Sequence, residues 1–201
     1  MIKNIIFDIG NVIVRWNPLE IIALTFPQDP SPYDKTKQVF QSEIWLKLNQ
    51  GIISEQEAKL QYQLKLSLSP DDTETLFYYV KATQILLHGS MELLLKLKQA
   101  GYKLYALTDN VTEIIDYLKK TYDFWSLFEG SIISANEGVL KPDPTIYKSV
   151  LNRFDLRAEE SVFLDDMAAN VKGAEAVGIQ AIQFYSARQC EQELANLGIT
   201  V

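Results

Sequence analysis

Residues 162–177, Val162-Phe163-Leu164-Asp165-Asp166-Met167-Ala168-Ala169-Asn170-Val171-Lys172-Gly173-Ala174-Glu175-Ala176-Val177, pass from a strand pattern through two acids into a helix. Val162 to Leu164 is an apolar run of buried-strand length, while Val171, Ala174 and Val177 share one helical face that Gly178 terminates. The same alternation extends to either side. Ala181 to Phe184 reads as the next strand, and Lys103 to Leu107 and Ser131 to Ile133 as earlier ones. The helical faces between them are Leu93, Leu94, Leu97 and Ala100 before Gly101, and Tyr147, Val150, Leu151 and Phe154 after Asp143-Pro144. Lys3 to Phe7 supplies one more strand. Strands alternating with helices imply right-handed crossovers and a parallel sheet covered on both faces, a Rossmann-like doubly wound α/β fold.

A crossover between parallel strands needs little more than a dozen residues, yet nearly half of the chain lies between Phe7 and Lys103. The excess reads as an insertion with helices over Lys35 to Asn49, Ser54 to Lys65 and Pro70 to Leu86. An irregular loop is expected over Pro27 to Tyr33, which holds three prolines. The expected division is a core of residues 1–15 and 89–201 with a helical cap of residues 16–88; an α-rich half fused to the core is the other reading.

The chain has 201 residues, 47% hydrophobic and 22% charged, which are the proportions of a globular protein long enough to bury a sizeable core. Its 19 basic and 26 acidic residues leave a net charge of −7, the wrong sign for a protein that binds nucleic-acid phosphates. No apolar run approaches the roughly 20 residues that span a bilayer, and Asp8 interrupts the amino-terminal one. These features predict a cytoplasmic protein without nucleic-acid or membrane partners; they leave the oligomeric state open, a monomer being sufficient. A single cysteine, Cys190, and a single histidine, His88, provide neither an internal disulfide nor a zinc site.

In open parallel sheets ligands collect beyond the carboxyl ends of the strands. Asp8-Ile9-Gly10-Asn11 follows the first strand, Thr108-Asp109-Asn110 the second and Asp165-Asp166 the fourth, and Lys141-Pro142-Asp143-Pro144 lies beyond the third. One such acid often only caps the next helix; four strands delivering polar groups to one edge point to a site. Clustered aspartates repel unless a cation joins them, and oxygen ligands suit Mg²⁺. With a hydroxyl from Thr108 and a fixed charge from Lys141, the set fits phosphoryl transfer, in which a carboxylate also serves as nucleophile.

These residues resemble the four motifs of the haloacid dehalogenase superfamily: Asp8 in Ile-Ile-Phe-Asp-Ile-Gly-Asn-Val, Thr108 after Leu-Tyr-Ala-Leu, Lys141 in Leu-Lys-Pro-Asp-Pro, and Asp165-Asp166 after Phe-Leu. The stretch from Phe163 to Ala174 is similar to the amino-terminal phosphatase domain of soluble epoxide hydrolases. Phe-Asp-Ile-Gly-Asn-Val-Ile-Val is similar to bacterial glucose-1-phosphate phosphatases. The resemblance implies a Mg²⁺-dependent phosphatase of small phosphorylated metabolites, sugar phosphates among them, acting through an aspartyl-phosphate. It makes Asp8 the nucleophile and a metal ligand, with the Gly10 carbonyl and Asp166 as further ligands. Asp165 and Asn170 stand behind them. Phosphate binding falls to Thr108, Lys141 and the backbone of Ile9, Gly10 and Asp109, with Lys141 also contacting the nucleophile.

Two departures from the pattern bear on activity. Most phosphatases of the superfamily carry an acid two residues after the nucleophile, where this chain has Gly10. A metal-free 2-haloacid dehalogenase and a silent phosphate-binding relative are the alternatives, although paired Asp165 and Asp166 disfavour a metal-free site. Asp109 stands where the resembling proteins usually have Asn, so only its backbone amide is expected to face phosphate. A response-regulator receiver domain shares some residue types but places its paired acids after the first strand. Among the inserted residues, Trp16, Asn17, Trp45 and Asn49 are candidates to contact substrate, against the simpler reading that tryptophans there form core.

Overall fold

The computed structural model describes residues 1–200. Strands β1 (Asn4–Phe7), β2 (Lys103–Thr108), β3 (Gly130–Ile133), β4 (Ser161–Asp165) and β5 (Gln180–Gln183) form one parallel sheet in the order β3-β2-β1-β4-β5. Side chains alternate across it as a pleated strand requires. Ile5, Phe7, Leu104, Ala106, Val162 and Leu164 enter one core, and Ile6, Tyr105, Leu107 and Phe163 enter the other. Helices α6 (Ser90–Gln99), α7 (Thr112–Thr121) and α11 (Ala187–Asn196) pack on the first face. Helices α9 (Pro144–Arg153) and α10 (Ala168–Glu175) pack on the second, and the one-turn helix α8 (Ser134–Glu137) follows β3 directly.

Five helices lie between β1 and α6: α1 (Pro18–Thr25), α2 (Pro32–Phe40), α3 (Glu43–Asn49), α4 (Glu55–Leu66) and α5 (Pro70–Ala82). Ser54 and Ser69 close capping boxes with Glu57 and Asp72, which explains why α4 and α5 begin where their sequence signals stand. Three expectations need correction. Lys35 to Asn49 is two helices, because the Ser42 hydroxyl caps a new start by accepting the Trp45 amide at 3.1 Å. Pro32 opens α2 inside the expected loop, and α5 ends at Ala82, short of Leu86. Helix α1, opened by Pro18 and capped by Asn17, carried no signal strong enough to be expected.

The chain leaves and re-enters the sheet region side by side: Arg15 donates to the Ile85 carbonyl at 2.8 Å and Leu87 to the Ile13 carbonyl at 2.9 Å. The inserted helices do not keep a core of their own. Ile21, Val39, Leu48, Phe77 and Val80 belong to the same buried cluster as Phe7, Ala106 and Leu164. Gly51, just beyond α3, approaches α8 so closely that a Cβ there would lie 2.0 Å from the Ala135 carbonyl oxygen. Its φ of +67° also favours glycine.

Candidate active site

From β1 the chain steps first to β2 and β3 on one side, then to β4 and β5 on the other, so the connections diverge between β1 and β4. Ligands bind at such a divergence because the loops splay apart and leave a crevice at the strand ends. Phe7 pairs in register with Leu164, and the Asp8 amide donates to the Leu164 carbonyl at 2.9 Å. Asp8 and Asp165 therefore stand side by side across the crevice.

Lys141 joins them. Its Nζ lies 2.6 Å from Asp165 Oδ2, 3.0 Å from Asp8 Oδ1 and 3.4 Å from the Leu107 carbonyl oxygen, spanning the ends of three strands. The side chain is 1% exposed, so the ammonium is held almost without water. Burial opposes its charge, but Asp8, Asp165 and Asp109 together outweigh that and raise its pKa above the ordinary lysine value. Lys141 is a fixed cation. Burial pushes Asp8 up to about 8, Lys141 pulling it down and Asp165 adding to the rise. The Ile9 amide donates to Asp8 Oδ1 at 2.7 Å, so in this structure it serves the carboxylate.

The paired acids have different surroundings. Asp165 is fully buried; besides Lys141, its carboxylate accepts from the Met167 amide at 2.8 Å and from Asn170 Nδ2 at 3.0 Å to each oxygen. It thus takes the local turn-capping role common for an acid after a strand and also fixes Lys141. Asp166 lines the open crevice, where burial raises its pKa against the opposing hydrogen bond from Asn11. One oxygen each from Asp8, Asp165 and Asp166 lies within 4.8 Å of the others. Three crowded carboxylates, two with raised pKa, are a donor set that a hard divalent cation relieves, and their oxygen chemistry fits Mg²⁺.

Thr108 is 1% exposed, and its side-chain oxygen has no hydrogen-bond partner among the described residues. A buried hydroxyl left unpaired is costly unless a ligand supplies the partner. One Asp109 carboxylate oxygen accepts the Lys141 amide at 3.1 Å, which ties down the acid at the position expected to present only its amide; burial raises its pKa against Lys141.

A cavity of about 590 Å³ opens beside these groups, lined from the sheet edge by Asp8, Gly10, Asp109, Lys141, Asp166 and Asn170, whereas Ile9, Thr108 and Asp165 lie behind its lining. Of the insertion candidates, Trp16, Trp45 and Asn49 line it, whereas Asn17 caps α1 by accepting the Glu20 amide at 3.1 Å. Two residues have no role in the sequence reading, although Asn11 stands in the loop quoted after the first strand. Asn11 lines the crevice at φ 52° and binds Asp166, a position for which an Asn after Gly is a usable local cue. Ser134 donates to the Asn49 carbonyl at 2.7 Å and accepts the Asn110 amide at 2.9 Å, tying the insertion to the loop after β2; no local pattern announces that link.

A profile described as haloacid dehalogenase-like hydrolase matches residues 2–178. The chain belongs to that family. It is 28% identical over 195 residues to a sesquiterpene phosphatase of Aspergillus oryzae, covering 97% of this chain and 96% of the relative. It is 27% identical over 203 residues to a flavin mononucleotide hydrolase of Arabidopsis thaliana, covering 98% and 78%. A family enzyme from Bacteroides thetaiotaomicron, solved with magnesium and inorganic phosphate, superimposes with a TM-score of 0.78 over 90% of this chain and 93% of that one at 23% identity. That likeness is one of fold. The five-stranded parallel sheet flanked by helices is a Rossmann-like architecture, and it brings Asp8, Lys141, Asp165 and Asp166 to one edge.

Proposed function

We propose that this hydrolase cleaves phosphate monoesters of small metabolites in a Mg²⁺-dependent reaction through an aspartyl-phosphate on Asp8. The observation that carries the reading is the contact of buried Lys141 with Asp8 at the floor of a cavity that Asp166 also lines. The names of two relatives matched along almost all of this chain, a sesquiterpene phosphatase and a flavin mononucleotide hydrolase, support it.

Asp8 attacks phosphorus and the bond to the alcohol oxygen breaks, the alkoxide taking its proton from solvent water; a water then attacks the phosphoryl group on the carboxylate, gives up a proton to solvent and releases inorganic phosphate, regenerating Asp8. Lys141 offsets charge on the phosphoryl oxygens and orients the nucleophile, while Asp165 and Asn170 keep Lys141 in place. The unpaired Thr108 hydroxyl and the Asp109 amide are assigned to the phosphoryl oxygens, with the Ile9 and Gly10 backbone completing the cradle. Asp8, the Gly10 carbonyl and Asp166 would hold Mg²⁺, which supplies further neutralisation of the transferring group. Residues 16–88 act as a cap over the core of 1–15 and 89–201. Gly10 brings no side chain to protonate the leaving oxygen, so among esters of otherwise similar alcohols the more acidic alcohol leaves faster, the anomeric phosphate of a sugar before its 6-phosphate.

The test is release of inorganic phosphate from p-nitrophenyl phosphate and a panel of phosphorylated metabolites, with Mg²⁺ and with a chelator. Turnover that needs the cation and vanishes in Asp8→Asn supports the reading. Activity that survives Asp8→Asn overturns the covalent route.

A further inference from the structure

We infer that the alcohol half of the substrate is a bulky apolar group, so that the enzyme takes phosphate monoesters of hydrophobic alcohols in preference to sugar phosphates. The inference rests on the phosphatase reading of the same site and concerns the wall opposite the phosphate. Trp16 and Trp45 stack there with centroids 5.7 Å apart and planes 12° from parallel. Phe40 meets both edge-on at 5.4 and 4.9 Å. Leu46, Ile114 and Met167 continue the apolar lining around the cavity. Aromatic clusters of this kind present a large rigid apolar surface at little entropic cost.

The polar groups of the wall point to the same conclusion. A buried sugar ring needs partners for each hydroxyl, because an unpaired one costs more than its burial returns. Of the six side-chain amides that line the cavity, Gln41 and Asn110 among them, four donate within the protein. Asn11 Nδ2 donates to Asp166, Asn49 Nδ2 to the Trp45 carbonyl, Gln84 Nε2 to the Val80 carbonyl and Asn170 Nδ2 to Asp165. The Ser42 hydroxyl likewise donates to the Val39 carbonyl at 2.7 Å. These bonds hold four of the amides in place and leave Gln41 and Asn110 as the lining amides that donate to no group among the described residues, fewer than the hydroxyls of a sugar ring. A volume of about 590 Å³ accommodates a group well beyond a single hexose.

Leaving-group acidity would confound a comparison of aryl with sugar esters, so the substrates should all be esters of primary alcohols. Naphthylethyl phosphate carries a flat aromatic group, citronellyl phosphate an isoprenoid chain and glucose 6-phosphate a polyol. We expect kcat/KM to be about tenfold or more higher for at least one apolar ester than for glucose 6-phosphate, and which of the two leads tells a flat from a branched occupant. Equal values, or a lead for glucose 6-phosphate, overturn the inference. Binding is read separately, through quenching of tryptophan fluorescence by naphthylethylphosphonate and by citronellylphosphonate, which are not hydrolysed. Trp45→Leu should weaken the tighter of the two about tenfold. Should that variant fail to fold, Leu46→Asp, at a half-exposed position on the rim, replaces it. If neither phosphonate binds, the inference falls. If a phosphonate binds but p-nitrophenyl phosphate is not hydrolysed, the phosphatase reading falls and the apolar pocket stands.

Discussion

The Asn11 side chain donates from Nδ2 to Asp166 at 3.1 Å and accepts the Trp16 amide on Oδ1 at 2.9 Å, so one residue couples an acid of the crevice to the start of the inserted helices. Its φ of 52° lies in the left-handed region, which Asn tolerates and Ala does not. Asn11→Ala should therefore lose about 1 kcal/mol of stability from the backbone and, independently, the anchor of Asp166. Asn11→Gly relieves the backbone strain but still lacks the amide. We expect both variants to need several-fold more Mg²⁺ for half-maximal activity, with only Asn11→Ala showing the larger drop in a denaturant titration. Normal Mg²⁺ activation in Asn11→Gly would refute the coupling.

Asp165 and Asp166 should respond differently to removal. Asp165→Ala leaves the buried Lys141 ammonium with a partner missing, and breaking a buried pair in this way costs on the order of 3–5 kcal/mol in a site where Lys141 is 1% exposed. Asp166→Ala removes a crevice carboxylate with a single side-chain hydrogen bond to Asn11, so its main effect should be on metal activation. Parallel chemical unfolding and Mg²⁺ titrations distinguish the two. A more severe loss of Mg²⁺ activation in a folded Asp165→Ala protein would reverse the assignment.

Asp8 makes the metal-free enzyme sensitive to pH. Burial raises its pKa from an ordinary value near 3.8 to about 8, so the folded state holds a proton that the unfolded state releases. Stability from this group is complete below the unfolded value and declines as pH rises toward 8, by roughly 1 kcal/mol per pH unit. Asp8→Asn lacks that ionisation. Without metal, the difference in melting temperature between Asp8→Asn and wild type should grow from pH 5 to pH 8, and Mg²⁺ should shrink it by stabilising the wild-type carboxylate. A difference independent of pH would count against the raised value.

Gly10, two residues after Asp8, has room for a Cβ. A Cβ at this position would lie 3.7 Å from the Trp16 Cβ, an ordinary contact, and its φ is not in the left-handed region. Wild type should hydrolyse glucose 1-phosphate faster than glucose 6-phosphate, because the anomeric oxygen departs more readily without a proton. Gly10→Asp should fold, and should raise the rate on glucose 6-phosphate by about tenfold or more through general acid catalysis, with a smaller gain on p-nitrophenyl phosphate. Rapid-quench trapping should find phosphoenzyme on Asp8 accumulating in wild type and less of it in the variant. Equal wild-type rates on the two sugar phosphates, with no phosphoenzyme trapped, would falsify this account of Gly10.

Much of the molecule follows from local pattern. Five apolar runs of strand length, helical faces ending in glycine, and an acid or hydroxyl after each of three strands are short-range features, and the parallel sheet with its polar edge follows from them through crossover handedness. Asp8, Thr108, Lys141, Asp165 and Asp166 are accordingly visible as candidates in the sequence. Local signals failed where they were weak or in competition. The break at Ser42 hides inside a continuous helical periodicity, and α1, Pro-Leu-Glu-Ile-Ile-Ala-Leu-Thr, is apolar at most positions, so its buried face does not stand out.

The sequence alone therefore determined the fold class, the order of elements and the residue types at the strand ends, because propensity, capping and periodicity act within a few residues. Only the tertiary structure decided which groups meet. Lys141 reaches Asp8 across 133 positions (141 − 8 = 133), Asn11 reaches Asp166 and Ser134 reaches Asn49, and none of these pairings leaves a mark on the intervening chain. It also decided that the inserted helices share the core of the sheet, and that Trp16, Phe40 and Trp45 form one wall of the cavity. Burial, desolvation and the pKa values that follow from them are properties of that assembled environment, since a side chain loses its water only when distant segments close around it.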